Sequence, residues 1–98
     1  MITLTPAQRQ YLKGLAHPLS PVVIIGEKGL SEAVMKEIDR ALKAHELIKI
    51  KAGSDEKETR SQWMAEICQQ LGASPVQQIG KILVIYKQAE KPAIQLPR

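Results

Sequence analysis

Pro21-Val22-Val23-Ile24-Ile25-Gly26-Glu27-Lys28-Gly29-Leu30-Ser31 is the stretch on which the fold turns. Val22 to Ile25 is a continuous β-branched run, the pattern of a short strand buried on both faces. Gly26 and Gly29 mark a turn, and Ser31 suits a helix N-cap. Leu30, Val34, Ile38, Ala41 and Leu42 then recur at helical spacing and form one apolar stripe. A strand that passes through a tight turn into an amphipathic helix is the first half of a parallel crossover unit.

Towards the N-terminus, Thr5-Pro6-Ala7-Gln8 reads as a helix start, with Thr5 as cap, Pro6 at the first helical position and Gln8 completing a capping box. Leu12, Leu15 and Ala16 give this helix an apolar face, and His17-Pro18 ends it, because the residue before proline disfavours α geometry. Towards the C-terminus, Leu47-Ile48-Lys49-Ile50-Lys51 alternates as a strand with one polar face. Gly53-Ser54-Asp55 breaks that strand. Asp55, Glu56 and Glu58 crowd the start of a third helix, where the macrodipole favours acids. Trp63, Ile67 and Leu71 are its core line, and Gly72 its end. Val76 to Ile79 and Ile82 to Tyr86 read as strands joined by the tight turn Gly80-Lys81.

The predicted order is α-β-α-β-α-β-β. This is an α/β chain of the α+β, two-layer type, with helices packed on a four-stranded mixed sheet. The first three strands should run the same way through right-handed crossovers, and the last should return antiparallel. One domain over residues 1–98 is expected, with its core in 4–87 and a tail in 88–98. The tail is either loose or adds a short edge strand at Ile94-Gln95-Leu96.

Composition narrows the function. The chain has 98 residues, 44% of them hydrophobic, enough for a core without staples. Fourteen Lys and Arg against ten Asp and Glu give a formal charge of +4, which points to a polyanionic partner. Aromatic residues are only 3%, with no Phe, so base stacking on a ring platform is disfavoured. No apolar run is long enough for a membrane span, and Met1 to Pro6 does not resemble a secretory leader. The single cysteine, Cys68, excludes an internal disulfide and fits a reducing cytoplasm. His17, His45 and Cys68 are too scattered for a structural metal site. No catalytic constellation stands out, so no enzyme activity, cofactor or small-molecule substrate is expected, and a monomer is expected.

The topology gathers the bases. The carboxyl ends of the first three strands should share one edge, the usual ligand-binding edge of an open α/β sheet. Two helix N-termini there add backbone donors suited to phosphate. Gly26 to Gly29, Lys51, Lys57, Arg60 and Lys81 should meet at this rim. The first helix, joined by a short link, should bring the N-terminal half with Arg9 towards the same edge and Lys13 further down.

Each feature also has a plainer reading. Gly26-Glu27-Lys28-Gly29 is either a phosphate-clamping loop or a turn needing two glycines; it is neither a Walker A loop nor a dinucleotide fingerprint. Lys36, Arg40 and Lys43 share a helix face, but Glu32-Lys36 and Asp39-Lys43 stand at ion-pair spacing, which leaves Lys36 as the best candidate of the three. Lys49 and Lys51 either face a ligand or discourage edge pairing. His17 reads as a helix-end residue, Trp63 as buried and Cys68 as a small core residue.

Leu12 to Leu19, Gly26 to Ser31, Glu46 to Lys51 and Ile79 to Lys87 together resemble the CRM domain, the chloroplast RNA splicing and ribosome maturation domain, in its stand-alone bacterial YhbY form. The resemblance spans about Leu4 to Lys87. It implies an RNA-binding fold like the C-terminal domain of translation initiation factor three. It implies a GxxG loop that clamps RNA backbone as in KH domains, here Gly26, Glu27, Lys28 and Gly29. Glu27 departs from the basic or small residues common at that loop position. The implied process is assembly of the large ribosomal subunit on precursor ribosomal RNA, and plant relatives act in intron splicing. The expectation is therefore a cytoplasmic RNA-binding protein; a DNA-coating protein and a protein adaptor using the basic rim are the rivals.

Overall fold

The computed structural model describes residues 3–98; Met1 and Ile2, part of the stretch read for a leader, lie outside them. The elements are α1 (Pro6–Ala16), β1 (Val23–Ile25), α2 (Glu32–His45), β2 (Leu47–Ala52), α3 (Lys57–Leu71), β3 (Ser74–Ile79) and β4 (Ile82–Tyr86). Local chemistry sets the helix starts. The Thr5 hydroxyl accepts from Gln8 N at 3.1 Å, and the Gln8 side chain accepts from Thr5 N at 3.0 Å, a complete capping box with proline at the first turn. Ser31 caps α2 by accepting from Val34 N. Gly72 closes α3 in the left-handed conformation at φ 69°.

The sheet order is β1-β2-β4-β3. β1 and β2 pair in parallel; β4 runs antiparallel to both β2 and β3. The directions match the sequence reading, since β1, β2 and β3 point the same way. The return strand, however, inserts between β2 and β3. The chain therefore crosses one strand position through α3 and fills the gap with a hairpin, which antiparallel pairing allows with two residues.

Strand alternation divides the core between two faces. On one face Ile25, Ile48, Ile50, Leu83 and Ile85 pack under α2 and α3, against Ile38, Leu42 and Ile67. On the other face Leu47, Val84 and Tyr86 pack under α1, against Leu4, Leu12 and Ala16. Each fully buried aliphatic chain contributes about 1.5–3 kcal/mol. The second face is only partly covered. Val22 to Ile25, read as buried on both sides, is buried on one: Ile24 is 65% exposed and Val22 48%. No helix covers β1 on its second side, because α1 lies over the other three strands.

The link between α1 and β1 also differs from expectation. Residues 17–22 can span roughly 20 Å when extended, so α1 need not run antiparallel to β1. Its start lies by the tail, where Gln8 Nε2 donates to the Pro97 carbonyl at 3.0 Å. Its end lies over the upper half of β2, where Lys49 Nζ donates to the His17 carbonyl at 3.1 Å.

The tail forms no strand. Its backbone donors go to a carboxylate: Glu46 accepts from the amides of Ala89, Ala93 and Ile94 at 2.8–3.0 Å. Glu46 caps α2 at φ 64°, a positive value that non-glycine residues seldom adopt, and it is buried. Ile94 and Leu96 are thereby laid onto the α1 core.

Candidate nucleic-acid interface

Three loops are tied together along the edge that ends β1 and β2. Gly26 to Gly29 closes a turn, with Gly29 N donating to Gly26 O at 3.0 Å, and leaves Glu27 and Lys28 exposed at the tip. Gly29 takes φ 69°, and the Trp63 ring stands 3.5 Å from where its side chain would begin, so Trp63 forms the floor of the turn. Gly53 N donates to the Ile25 carbonyl at 2.8 Å. A side chain at Gly53 would collide with that same oxygen, so only glycine permits the crossing. Ala52 N donates to the Lys81 carbonyl at 2.7 Å, which fastens the β3–β4 turn beside it. Gly80 takes φ 53°, the positive value a two-residue hairpin requires at its first position. The N-termini of α2 and α3 open at this edge, as the sequence order required.

The bases predicted for this rim fall into three groups. Lys28, Lys51 and Lys57 are exposed and make no ion pair among the described residues. Lys81 is at the rim but pairs with Asp55 at 2.7 Å; its hydrogen bond and its charge hold the Asp55 carboxyl below the usual range. Arg60 is also there, but Nη1 donates to the Ser54 carbonyl at 2.8 Å and Nε is buried without an acceptor, so Arg60 braces the Gly53 turn.

The others lie elsewhere. Lys36 pairs with Glu32 on the exposed face of α2 at 3.5 Å, the plainer of its two readings. Arg9, expected near the rim, stands beside Pro75 to Gln78 on the free edge of β3, because α1 runs the opposite way from the assumed one. Lys13 shares a hollow with His17, Lys49, Gln77 and Ile79 on the α1 face. Lys49 and Lys51 cannot be edge guards, since β2 is an inner strand; Lys51 is exposed on the part of the sheet that α1 leaves open, and Lys49 stands half-buried at its margin, with Nζ on the His17 carbonyl. His17 is the helix-end residue, as read, and Trp63, read as buried, is only partly so, at the margin of the core beneath the Gly29 turn.

Sequence reasoning missed two features. Ile24 faces solvent in the middle of an apolar run, and no local pattern distinguishes it from its buried neighbours. Glu46 is a buried acid whose partners come from more than forty residues away, beyond any spacing rule.

Among the described residues no group of three His, Cys, Asp or Glu side chains could hold a metal ion, and no helix is long and apolar enough to cross a membrane. Burial pushes the Cys68 thiol up to about 11, which keeps it protonated and unreactive. What the glycine edge offers chemically is fixed backbone donors, helix N-termini and flexible ammonium groups, a set suited to phosphate.

Known proteins with this sequence pattern agree with that chemistry. The chain is 49% identical over 98 residues to an RNA-binding protein of Haemophilus influenzae, covering all of this chain and 99% of that one. It is 41% identical over 91 residues to a probable RNA-binding protein of Pseudomonas aeruginosa, covering 93% and 88%. The solution structure of a hypothetical Staphylococcus aureus protein, described as a candidate RNA-binding protein, superposes with a TM-score of 0.85 at 33% identity, covering 97% and 100%. The family model for the CRS1/YhbY (CRM) domain matches residues 4–87, and the chain belongs to that family.

Proposed function

We propose that this protein binds RNA without catalysing a reaction, and that its RNA is ribosomal, in precursors of the large subunit whose assembly it assists in the cytoplasm as a monomer. The observation that carries the RNA reading is the glycine edge. The Gly26 to Gly29 turn presents Lys28 beside Lys51 and two helix N-termini, on a scaffold held by the Gly53 and Ala52 bonds. The turn takes the part of the backbone-clamping GxxG loop. The names of the relatives support RNA as partner; the family resemblance supports the ribosomal precursor.

The test is a pair of variants, Lys28→Glu and Gly26→Asp. Space above Gly26 is open and its φ is not positive, so a side chain is tolerated there. RNA affinity and thermal melting are measured together. A clear loss of affinity in folded variants is expected, and unchanged affinity would sink the loop as a contact. Competition with duplex DNA and pull-down after ribonuclease treatment address coating and adaptor roles. Sedimentation of the cellular protein with large-subunit precursors is expected; a position away from all ribosomal particles would contradict the assembly role.

A further inference from the structure

The open half of the second sheet face joins aliphatic and basic side chains and holds no acid. Residues 3–25 contain no Asp or Glu, nor do β2, β3 or β4. The acids are instead on α2, α3, their caps, the Gly26–Gly29 turn, the Gly53–Asp55 turn and the tail. On the open face, Ile24 pairs in register with Lys51, and Ile79 with Ile82. Ile24 and Ile79 are 65% and 57% exposed. Below Ile24, a cleft of about 520 Å³ lies between the α1–β1 link and β2, lined by Leu15, Leu19, Val22, His45 and Lys49. No acidic side chain lines this cleft or the hollow around Lys13 beside it. The acids at the borders are Glu27, in the turn, Asp55, paired with Lys81, and Glu46, whose carboxylate is held by three tail amides.

A ligand that fits such a face carries regular negative charge and flat apolar groups at once. A duplex offers the charge but hides its bases, leaving the aliphatic strip wet. An unpaired RNA segment offers both, and the strip ends close to the glycine turn, since exposed Ile24 stands two residues before Gly26 and pairs in register with Lys51. Resting on the RNA reading above, we infer that an unpaired segment of the bound RNA leaves the glycine turn and crosses the open sheet face. Its bases lie against Ile24, Val22 and the cleft, and its phosphates meet Lys51, Lys49 and Lys13. The scarcity of aromatic rings fits this arrangement: the bases are seated on aliphatic side chains rather than stacked on rings.

The experiment compares Ile24→Thr with Lys28→Glu against two probes, an RNA hairpin with a long unpaired loop and a fully paired RNA duplex of equal length. Ile24→Thr keeps a β-branched residue at an exposed position, and melting verifies the fold. It is expected to weaken hairpin binding about fivefold, by loss of roughly one methylene's worth of apolar contact. Duplex affinity and the salt dependence of binding stay unchanged. On RNA addition, backbone amide resonances should shift at Val22 to Gly29 and at Lys49 and Lys51. Unchanged hairpin binding by Ile24→Thr, with Lys28→Glu still defective, overturns the inference and leaves the RNA reading intact. If Lys28→Glu is also unchanged for both probes, the glycine turn falls as a contact and the inference with it; if the wild type binds neither probe, the RNA reading itself falls. Shifts confined to α2 and α3, or an RNA-free protein that sediments more slowly once Ile24 is replaced, also overturn the inference, the latter assigning the strip to a second copy of the chain.

Discussion

The two faces of one sheet are finished in opposite ways. Under α2 and α3 the strand side chains are sealed, and the outer surface mixes acids and bases into ion pairs such as Lys43–Asp39 at 3.0 Å. On the other side α1 covers part of the sheet, and what remains open is basic and aliphatic. Interleaved charges cancel within a few ångströms and leave little field. Segregated bases sum their fields and attract a polyanion. A modest net charge of +4 therefore understates what one face presents.

Neighbouring isoleucines give the sharpest way to break this comparison. Ile25 is fully buried on the sealed face, and Ile24 faces out. Ile25→Ala should lower stability by about 3 kcal/mol in denaturant titration, the ordinary cost of a large-to-small core change. Equal losses at both positions would erase the difference between the faces. Next in size is Gly53→Ala, expected to cost about 2 kcal/mol because the new methyl group must displace the Ile25 carbonyl. Its melting point should fall, and RNA binding should fall with it, since the glycine edge is built on that crossing.

Glu46→Gln tests the corner where the tail is laid over the α1 core. Burial raises the Glu46 carboxyl, but the amides of Ala89, Ala93 and Ile94 together outweigh burial and bring it below the usual range. A lowered folded-state value means that the stabilisation is complete above the unfolded value of about 4.3 and fades as pH falls from there through the folded value. The wild type should lose stability over that acid range, while Glu46→Gln should start about 1–2 kcal/mol lower and vary less. Hydrogen exchange at Ala93 and Ile94 reports the clasp directly. Smallest is Ile24→Ala, expected to change stability by about 0.5 kcal/mol or less.

Much of this was legible from the chain because local rules and tertiary packing agree. The Thr5–Gln8 box, the Ser31 cap, the alternation of Leu47 to Lys51 and the Gly80-Lys81 turn each stand where local chemistry puts them. The shared glycine edge followed from strand direction alone. Three things were not legible. The place of β4 between β2 and β3 is a choice among pairings that leave strand directions unchanged. The course of α1 depends on a link long enough to run either way, so Arg9 was placed wrongly and Lys13 only roughly. The exposure of Ile24 depends on which face a distant helix covers, and a run of four β-branched residues cannot report that.

Salt dependence of RNA binding tests the central claim most directly, with two double variants that remove the same charge from opposite faces. Lys28→Gln/Lys51→Gln is expected to lower the slope of log affinity against log salt by about 1.4, from two lost phosphate contacts to a single strand. Arg40→Gln/Lys43→Gln, on α2, is expected to leave that slope unchanged. Equal slopes for the two variants, or a lower slope only for the α2 pair, would contradict the assignment of RNA to the glycine edge and the open face.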